Sequence, residues 1–339
     1  MKNSFAYRLA GAAIATMGLS GAALPSAGLA ADMPGIVSML SSPVGSTSYI
    51  ETSAIATVIA KNAPFKVEVI PINGSNALVE LVGKGERDFA SVTSINSNMA
   101  YHGVKPFKQE FKDIRLVVQG GVRTLGITVR KDSEIKSVKD LKGMRVSGAY
   151  TGHPVCANAA TAFLSNVGLS WNDVRVVPVS HAVNGVQALM EGRVDAAMCV
   201  EGDMGVLKEA HSKVGVKWIS PDISADAVKR ATDMIPLMSI RTIKGGQVTG
   251  VEADIPLWTY QGGIIASAKT PPAVVEAFLA GLWGQQAELA KMHPSFTAWT
   301  ADLMLDPKLP VPFHDGAIAF LKKRNAWSAA LDKSQSAAQ

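Results

Sequence analysis

Small hydroxyl and amide side chains recur in this sequence at turns that precede predicted helices. The start of a helix presents unpaired backbone N–H groups at the positive end of the helix dipole, and side-chain hydroxyls add further donors. This combination suits a small carboxylate, which needs charge compensation and several donors together. Helix capping is the competing interpretation, because Ser and Thr also cap helices without binding a ligand. The candidate ligand-binding residues at these turns are Ser46, Thr47 and Tyr49, Ser75 and Asn76, and Thr151, Gly152 and His153.

Further candidates lie where predicted strands end. Thr93 and Ser94 follow one strand, at the carboxyl end where open α/β sheets bind ligands. Glu201 follows another strand and could accept a hydrogen bond from a ligand amine or hydroxyl. Arg123 could bind a carboxylate through its guanidinium fork, or it could be a solvated hinge residue. Tyr260 could line an apolar wall of the cleft, although packing in the core is the favoured interpretation.

Cys156 and Cys199 are the two cysteines of the chain. In an exported protein they could form a disulfide, or they could be two buried thiols without a special role. A third interpretation is a reactive thiol, because Cys156 lies near a helix start beside His153, where the pKa of a thiol is lowered. No orienting acid or oxyanion motif accompanies them, so an enzyme is not predicted. The sequence has no CxxC, HExxH or zinc-ligand spacing, and neither a metal nor a cofactor is predicted.

The elements that must position these residues follow a repeated pattern. An apolar helical stretch, a Gly-x-x-Asp unit and a short apolar strand occur twice, with Gly85 and Asp88 in one copy and Gly192 and Asp195 in the other. The two copies are 107 residues apart, which is too long for a solenoid repeat. The repeat predicts an α/β fold with two similar lobes and a ligand cleft between them.

Strand-like and helix-like segments alternate along the chain, which predicts parallel sheets with helices on both faces. Turn residues set the boundaries of these segments. The predictions include helices over 50–61, over 75–84 with Ser75 as its cap, over 154–166 and over 272–292, and strands over 114–119 and 125–130 on either side of Gly120-Gly121.

Two lobes require the chain to cross between them twice. Lobe I is predicted to consist of residues 31–123 plus 257–332, and lobe II of residues 124–256. The tail over 333–339 is small and polar and is expected to be disordered.

Residues 1–30 have the features of a secretory signal peptide. Lys2 and Arg8 give a positive start, Leu9 to Leu24 is apolar, and Gly28-Leu29-Ala30 supplies small residues for cleavage near Ala30. A membrane anchor is the competing interpretation, but the apolar stretch is shorter than the ~20 residues of a spanning helix. The sequence therefore predicts export to the periplasm.

Composition excludes some classes of partner. Removal of residues 1–31 takes away two basic residues, so that the net charge falls from +5 to +3, with 31 basic and 28 acidic residues remaining. The longest basic run is Lys322-Lys323-Arg324, so nucleic acid is not a predicted partner. The protein is expected to act as a monomer.

The order and spacing of several short motifs resemble the TAXI family of solute receptors, the substrate-binding subunits of TRAP-type transporters. The resemblance covers most of residues 33–285. Its motifs are Gly45–Tyr49, Asn73–Ser75, Gly85–Asp88, Ser137–Gly143, and the turn and helix that hold Gly152 and Asn158.

The resemblance implies a type II periplasmic binding protein-like fold that takes up a small organic anion and delivers it to TRAP-type membrane permease subunits. A receptor for an ABC-type permease or for a sensor is the alternative, followed by a periplasmic thiol enzyme that would use Cys156 and His153. The chain departs from the family pattern where a ligand would be held. Leu78 replaces an asparagine, and His153-Pro154-Val155 replaces Ser-Gly-Thr.

Overall fold

The structure is a computed structural model, and it describes residues 33–44, 46–72, 74–202 and 204–339. A mixed sheet of ten strands forms the centre of this part of the chain. The predicted signal peptide and the motif residues Gly45 and Asn73 lie outside these ranges. The strands are β1 (Ile36–Ser41), β2 (Lys66–Pro71), β3 (Phe89–Thr93), β4 (Ile114–Arg130), β5 (Arg145–Gly148), β6 (Arg175–Pro178), β7 (Ala196–Glu201), β8 (Val216–Ile219), β9 (Ser239–Ile243) and β10 (Ile255–Ser267).

The helices pack on the sheet and bury its apolar residues, as in the stacked pair Phe89 and Phe278, whose ring centroids are 4.3 Å apart. Within the described ranges, no helix is both long enough and apolar enough to cross a membrane. The α-helices are α1 (Thr47–Asn62), α2 (Ser75–Gly83), α3 (Ser94–Tyr101), α4 (Pro154–Asn166), α5 (Ala182–Met190), α6 (Gly205–Val214), α7 (Ala225–Thr232), α8 (Pro272–Leu282), α9 (Gln286–Met292), α10 (Ala301–Met304), α11 (Asp315–Lys323) and α12 (Ala329–Ala338).

The strand order is β2-β1-β3-β10-β4-β7-β5-β6, with β8 paired to β4 and β9 paired to β10. Within each outer group, β2-β1-β3 and β7-β5-β6, the strands are parallel. The two central strands, β10 and β4, run antiparallel to each other and to the outer strands beside them. The predicted α/β fold class is confirmed.

The 107-residue repeat is present in the structure as a constant offset between elements. Helix α4 begins 107 residues after α1, and both ends of α5 lie 107 residues after those of α2. Gly85 and Gly192 follow α2 and α5 with φ angles of 77° and 70°, in the left-handed region that glycine adopts readily after a helix. The repeat therefore reflects two copies of one βαβ arrangement.

The aspartates of the repeat tie neighbouring strands together. Asp88 Oδ2 accepts hydrogen bonds from the backbone N–H and the hydroxyl of Ser38 on β1, each at 2.8 Å. Asp195 Oδ2 accepts from the backbone N–H of Arg145 on β5, also at 2.8 Å. Because Ser38 and Arg145 are themselves 107 residues apart, both aspartates perform the same structural task.

Two glycines that were expected to separate two strands lie inside one continuous strand, β4. A side chain on Gly120 would place its Cβ 2.9 Å from Trp299 Cζ2, and one on Gly121 would lie 3.0 Å from the same indole. The glycines allow Trp299 to approach the strand closely, so they serve packing and do not form a turn.

The single helix predicted from Pro272 to Met292 is two helices, α8 and α9. Gly284 between them has a φ angle of 82°, which an α-helix does not permit, so the helix must end there. Helix α7 and strand β9 were not predicted.

The tail expected to be disordered from Lys333 onward lies in α12. Ser328 caps this helix by accepting a hydrogen bond from the N–H of Leu331 at 3.2 Å. Leu331 and Gln335 are buried, and Gln335 Oε1 accepts from the backbone N–H of Phe313 at 2.7 Å. Small polar composition was misleading here because one apolar and one amide side chain, four residues apart, hold the helix to the core.

Candidate ligand-binding site

A cavity of about 210 Å³ lies where the carboxyl ends of β1, β3 and β7 meet the start of four helices, α1 to α4. The middle of the two central strands, β4 and β10, completes its wall through Arg123 and Tyr260. The volume is below the roughly 300–1,000 Å³ of pockets for drug-sized ligands, so the cavity suits a small molecule.

The structure brings together seven of the twelve candidate ligand-binding residues of the sequence analysis. They come from the beginnings of α1, α2, α3 and α4 and from β4 and β7, which are distant in sequence. The seven are Ser46, Thr47, Ser75, Thr93, Arg123, His153 and Glu201.

Thr151 and Gly152 do not line this cavity. Thr151 lies in a separate surface groove with Lys105, and the N–H of Gly152 donates to the carbonyl of Ser180 at 3.0 Å. The repeat explains the difference, because the residue 107 positions after Ser46 is His153. Of the predicted turn Thr151–His153, only the last residue, His153, is therefore equivalent to Ser46 and lines the cavity.

Tyr49, Asn76 and Ser94 also lie outside the set of residues that line the cavity. The backbone N–H of Tyr49 donates to Ser46 Oγ. Ser94 lines a different cavity together with Arg241.

The capping interpretation is correct for two of the hydroxyls. Ser46 Oγ accepts from the N–H of Tyr49 at 3.1 Å and caps α1, and Thr93 Oγ1 accepts from the N–H of Asn96 at 3.0 Å and caps α3. Ser75 does not cap α2, contrary to expectation, because Gly74 occupies the cap position and Ser75 is the first residue of the helix. Thr47 likewise begins its helix beyond the cap, and its side chain remains available to the cavity.

His153 occupies the cap position of α4 but makes no side-chain capping hydrogen bond. Its Nδ1 is buried without a protein partner, and the ring of His181 lies 5.8 Å away between centroids. Burial, and secondarily the charge of His181, lower the pKa of His153 to about 4. The imidazole is therefore neutral near pH 7 and can offer the cavity either a donor or an acceptor.

The charged groups at the cavity are paired with other protein groups. Arg123 forms an ion pair with Glu51, whose side chain is 7 % exposed. Glu201 accepts a hydrogen bond from the hydroxyl of Tyr260. Tyr260 agrees with both interpretations, because it is buried and also lines the cavity.

Glu51 and Asn96 were missed by the sequence analysis. Glu51 lies one helical turn after Thr47, so the spacing of four residues could have placed it on the same face of α1. Asn96 is 1 % exposed, lines the cavity, and has an Oδ1 without a protein partner. A buried acceptor of this kind calls for a donor, and a ligand in the cavity could supply it.

Cys156 and Cys199 form a disulfide, with their Cα atoms 5.5 Å apart. The bond joins the first turn of α4 to β7, and both residues line the cavity. Of the three interpretations left open by the sequence, the disulfide is the one observed. A thiolate nucleophile at Cys156 is absent while this bond is intact.

Known proteins resemble this chain in sequence profile and in fold. A periplasmic binding protein named BugD has a TM-score of 0.53 at 12% identity, over 89% of this chain and 96% of that one. A protein described as a periplasmic transporter has a TM-score of 0.51 at 15% identity, over 89% and 95% of the two chains. A TctC solute binding protein from Polaromonas has a TM-score of 0.49 at 17% identity, over 89% and 95%.

The first two similarities show that this chain shares the fold of BugD and of that periplasmic transporter. The profile of the NMT1-like family matches residues 39–324, which is most of the chain. This protein belongs to the NMT1-like family.

Proposed function

We propose that the protein is an extracytoplasmic solute-binding protein that captures a small organic carboxylate in the 210 Å³ cavity and delivers it to a membrane permease. The observation that carries this proposal is the convergence of four helix N-termini, those of α1 to α4, on one cavity. Each contributes the positive end of a helix dipole and backbone donors, which together favour a bound anion. The unpartnered Nδ1 of His153 could donate to the carboxylate in the tautomer that carries a proton there, whereas the unpartnered Oδ1 of Asn96 would accept from a hydroxyl or amine elsewhere on the ligand.

In this proposal the cavity is a cleft between two lobes, residues 31–123 with 257–332 and residues 124–256. Thr47 and Thr93 belong to the first lobe, and His153 and Glu201 to the second, so a ligand would contact both. Strands β4 and β10 pass between the lobes and are the natural position of a hinge.

The proposed partner is a TRAP-type permease, in agreement with the ordered motifs that resemble TAXI receptors. The alternative partners are an ABC-type permease or a sensor. A neighbouring gene for a large fused membrane permease would support the TRAP assignment, and uptake by that permease in vesicles, dependent on this protein, would test it. Uptake without this protein would contradict the assignment. Cell fractionation would test the proposed periplasmic location.

A thermal-shift screen of the mature protein tests the proposed ligand class. Amino acids, dicarboxylates and aromatic acids would be compared with neutral sugars and organic cations. A ligand at 100 times its Kd stabilises the folded state by about 2.7 kcal/mol, which gives a clear shift in Tm. A carboxylate is expected to give the largest shift. A neutral sugar or a cation as the best ligand would contradict the carboxylate proposal.

A further inference from the structure

A second cavity, of about 270 Å³, lies on the opposite face of the two central strands from the candidate ligand-binding site. Arg123 of β4 faces Tyr260 of β10, and both line the first cavity, whereas the adjacent pair, Val122 and Gln261, lines the second. Because successive side chains of a strand point to opposite faces of the sheet, the strands separate the two cavities. Tyr260 borders both of them.

Two cations line the second cavity. Arg241 on β9 and Lys308, which follows α10, are exposed, and neither side chain forms a hydrogen bond or an ion pair with another residue of the described ranges. Asp306 is the carboxylate among the described lining residues, and its Oδ1 accepts from the backbone N–H of Lys308 at 2.9 Å. Asp302, which does not line the cavity, acts on Arg241 through its charge but forms no ion pair with it. The lining side chains, two cations and one carboxylate, thus have a formal charge of +1.

A buried hydroxyl group also lines this cavity. Ser94 is 5 % exposed, and its Oγ has no hydrogen-bond partner among the described residues. The hydroxyl is not used as the cap of α3, because Thr93 accepts from the N–H of Asn96 in that role. The other two hydroxyls of the cavity, those of Ser239 and Thr259, are hydrogen-bonded to each other at 3.1 Å. Since buried polar groups are nearly always paired, the Ser94 hydroxyl calls for an acceptor from a bound group.

The three groups without partners have the chemistry of an oxyanion site. A guanidinium offers a fork of N–H donors, an ammonium offers a point charge, and a hydroxyl offers one donor at the first residue of α3, where the helix dipole is positive. They come from three separate segments of the chain, so their donors approach from different directions. A tetrahedral oxyanion presents acceptors in several directions, whereas a carboxylate presents two on one side. The arrangement therefore favours the tetrahedral anion.

We propose that the second cavity binds a small tetrahedral oxyanion, phosphate or sulfate, held by Arg241, Lys308 and the hydroxyl of Ser94. This site is distinct from the cavity proposed for the carboxylate, and it does not depend on that function. The proposal gives a role to Ser94, which lies outside the first cavity.

Titration calorimetry of the mature protein with sodium phosphate and, separately, with sodium sulfate tests the proposal at constant ionic strength in Tris chloride. Saturable binding of at least one of the two anions is expected, and the tighter one identifies the occupant. Arg241→Gln and Ser94→Ala should each weaken that binding about 10-fold or more, because each removes a hydrogen bond to a charged acceptor. The hydroxyl of Ser94 has no protein partner, so Ser94→Ala should leave the Tm of the unliganded protein nearly unchanged.

Two further variants serve as controls. Arg87→Gln removes the same charge from an exposed arginine after α2 and should leave the Kd unchanged. If it weakens binding as much as Arg241→Gln does, the anion is attracted only by the general charge of the surface, and the proposal is wrong. Thr47→Val alters the first cavity. If phosphate or sulfate binding responds to Thr47→Val and not to Arg241→Gln, the anion occupies the first cavity, which also contradicts the proposal. Absence of saturable binding of both anions would overturn it as well, and none of these results bears on carboxylate capture.

Discussion

At the scale of single residues, a substitution of Thr47 distinguishes a role in ligand binding from a role in helix capping. Ser46 supplies the cap of α1, whereas Thr47 lines the cavity. Replacement of Thr47 by Val removes a hydroxyl at nearly constant volume, so we expect carboxylate binding to weaken about 3- to 30-fold. The Tm of the unliganded protein should hardly change, because the cap remains. Titration calorimetry and melting of the unliganded protein measure the two effects.

Thr57→Val is the matched control for Thr47→Val. Thr57 lies on the same helix, is exposed, and donates its hydroxyl hydrogen bond to the carbonyl of Ser53 at 2.8 Å. Its replacement should leave affinity unchanged. If Thr47→Val lowers the Tm and leaves affinity as it is, then Thr47 serves the helix and not the ligand.

His153 should make stability depend on pH. Its pKa of about 4 in the folded protein lies below the ordinary value of 6.5, so the unfolded chain binds more protons between these values. The contribution of His153 to the free energy of unfolding should therefore be constant above pH 6.5 and should fall as the pH is lowered towards 4. The shift corresponds to a loss of up to about 3 kcal/mol. Urea unfolding at pH 7 and pH 4.5 would measure it.

His153→Gln is the control for this pH dependence, because it removes the titrating group. A remaining slope is expected in this variant, since burial also lowers the pKa of His314. If the difference in stability between pH 7 and pH 4.5 is as large in His153→Gln as in the unmodified protein, then His153 is not the source.

At the scale of elements, α12 provides a test of the C-terminal segment. Gln335 accepts from the backbone N–H of Phe313 and donates to its carbonyl, at 2.7 and 3.4 Å. Gln335→Ala would leave these buried groups unpaired, at a cost of about 1–3 kcal/mol in the free energy of unfolding. Urea denaturation measures this loss, and Gln339→Ala, at the exposed last residue, should have no effect. Equal stability of the two variants would mean that α12 does not contribute to the fold in solution.

The elements that the sequence predicted well have strong local signals. Proline at the first position and glycine after the end bound α4, and the repeated Gly-x-x-Asp units marked the two copies of one arrangement. The continuity of β4 could not be predicted, because the reason for Gly120 and Gly121 is the distant Trp299. Contacts between segments far apart in sequence decided this case, as they did for α12.

The residues of the candidate site also divide into those that local sequence predicts and those whose position depends on distant contacts. Hydroxyls at helix starts indicated Thr47 and Ser75, since local sequence is enough to place a residue at the beginning of a helix. The position of Asn96 inside the cavity depends on how α3 meets β10 and the other helices, and no local pattern in the sequence encodes that. Thr151 does not line the cavity, because the residue that corresponds to Ser46 at the 107-residue offset is His153, directly before α4, and Thr151 lies two residues earlier in the same turn.

At the scale of the whole molecule, the two central strands determine how the proposed lobes could move. β4 and β10 pair along much of their length, and residues 119–125 of β4 face residues 258–263 of β10. A change in the backbone angles of these few residues would rotate one lobe relative to the other as a hinge. Ligand contacts on both sides of the cavity would favour the closed arrangement, because only there are all of them made.

We therefore expect a smaller radius of gyration for the mature protein when its carboxylate ligand is bound. Small-angle scattering of the same sample, with and without ligand at saturation, measures the change. Thr47→Val serves as the control at a ligand concentration that saturates the unmodified protein but not the variant. There the radius of gyration of the variant should lie between those of the unliganded and the liganded unmodified protein. Closure should also follow occupancy, so the midpoint of the change in radius should agree with the Kd from calorimetry. A radius that does not change at full occupancy would show that the lobes do not close on the ligand, and the hinged receptor proposal would then be wrong even if the cavity binds the carboxylate.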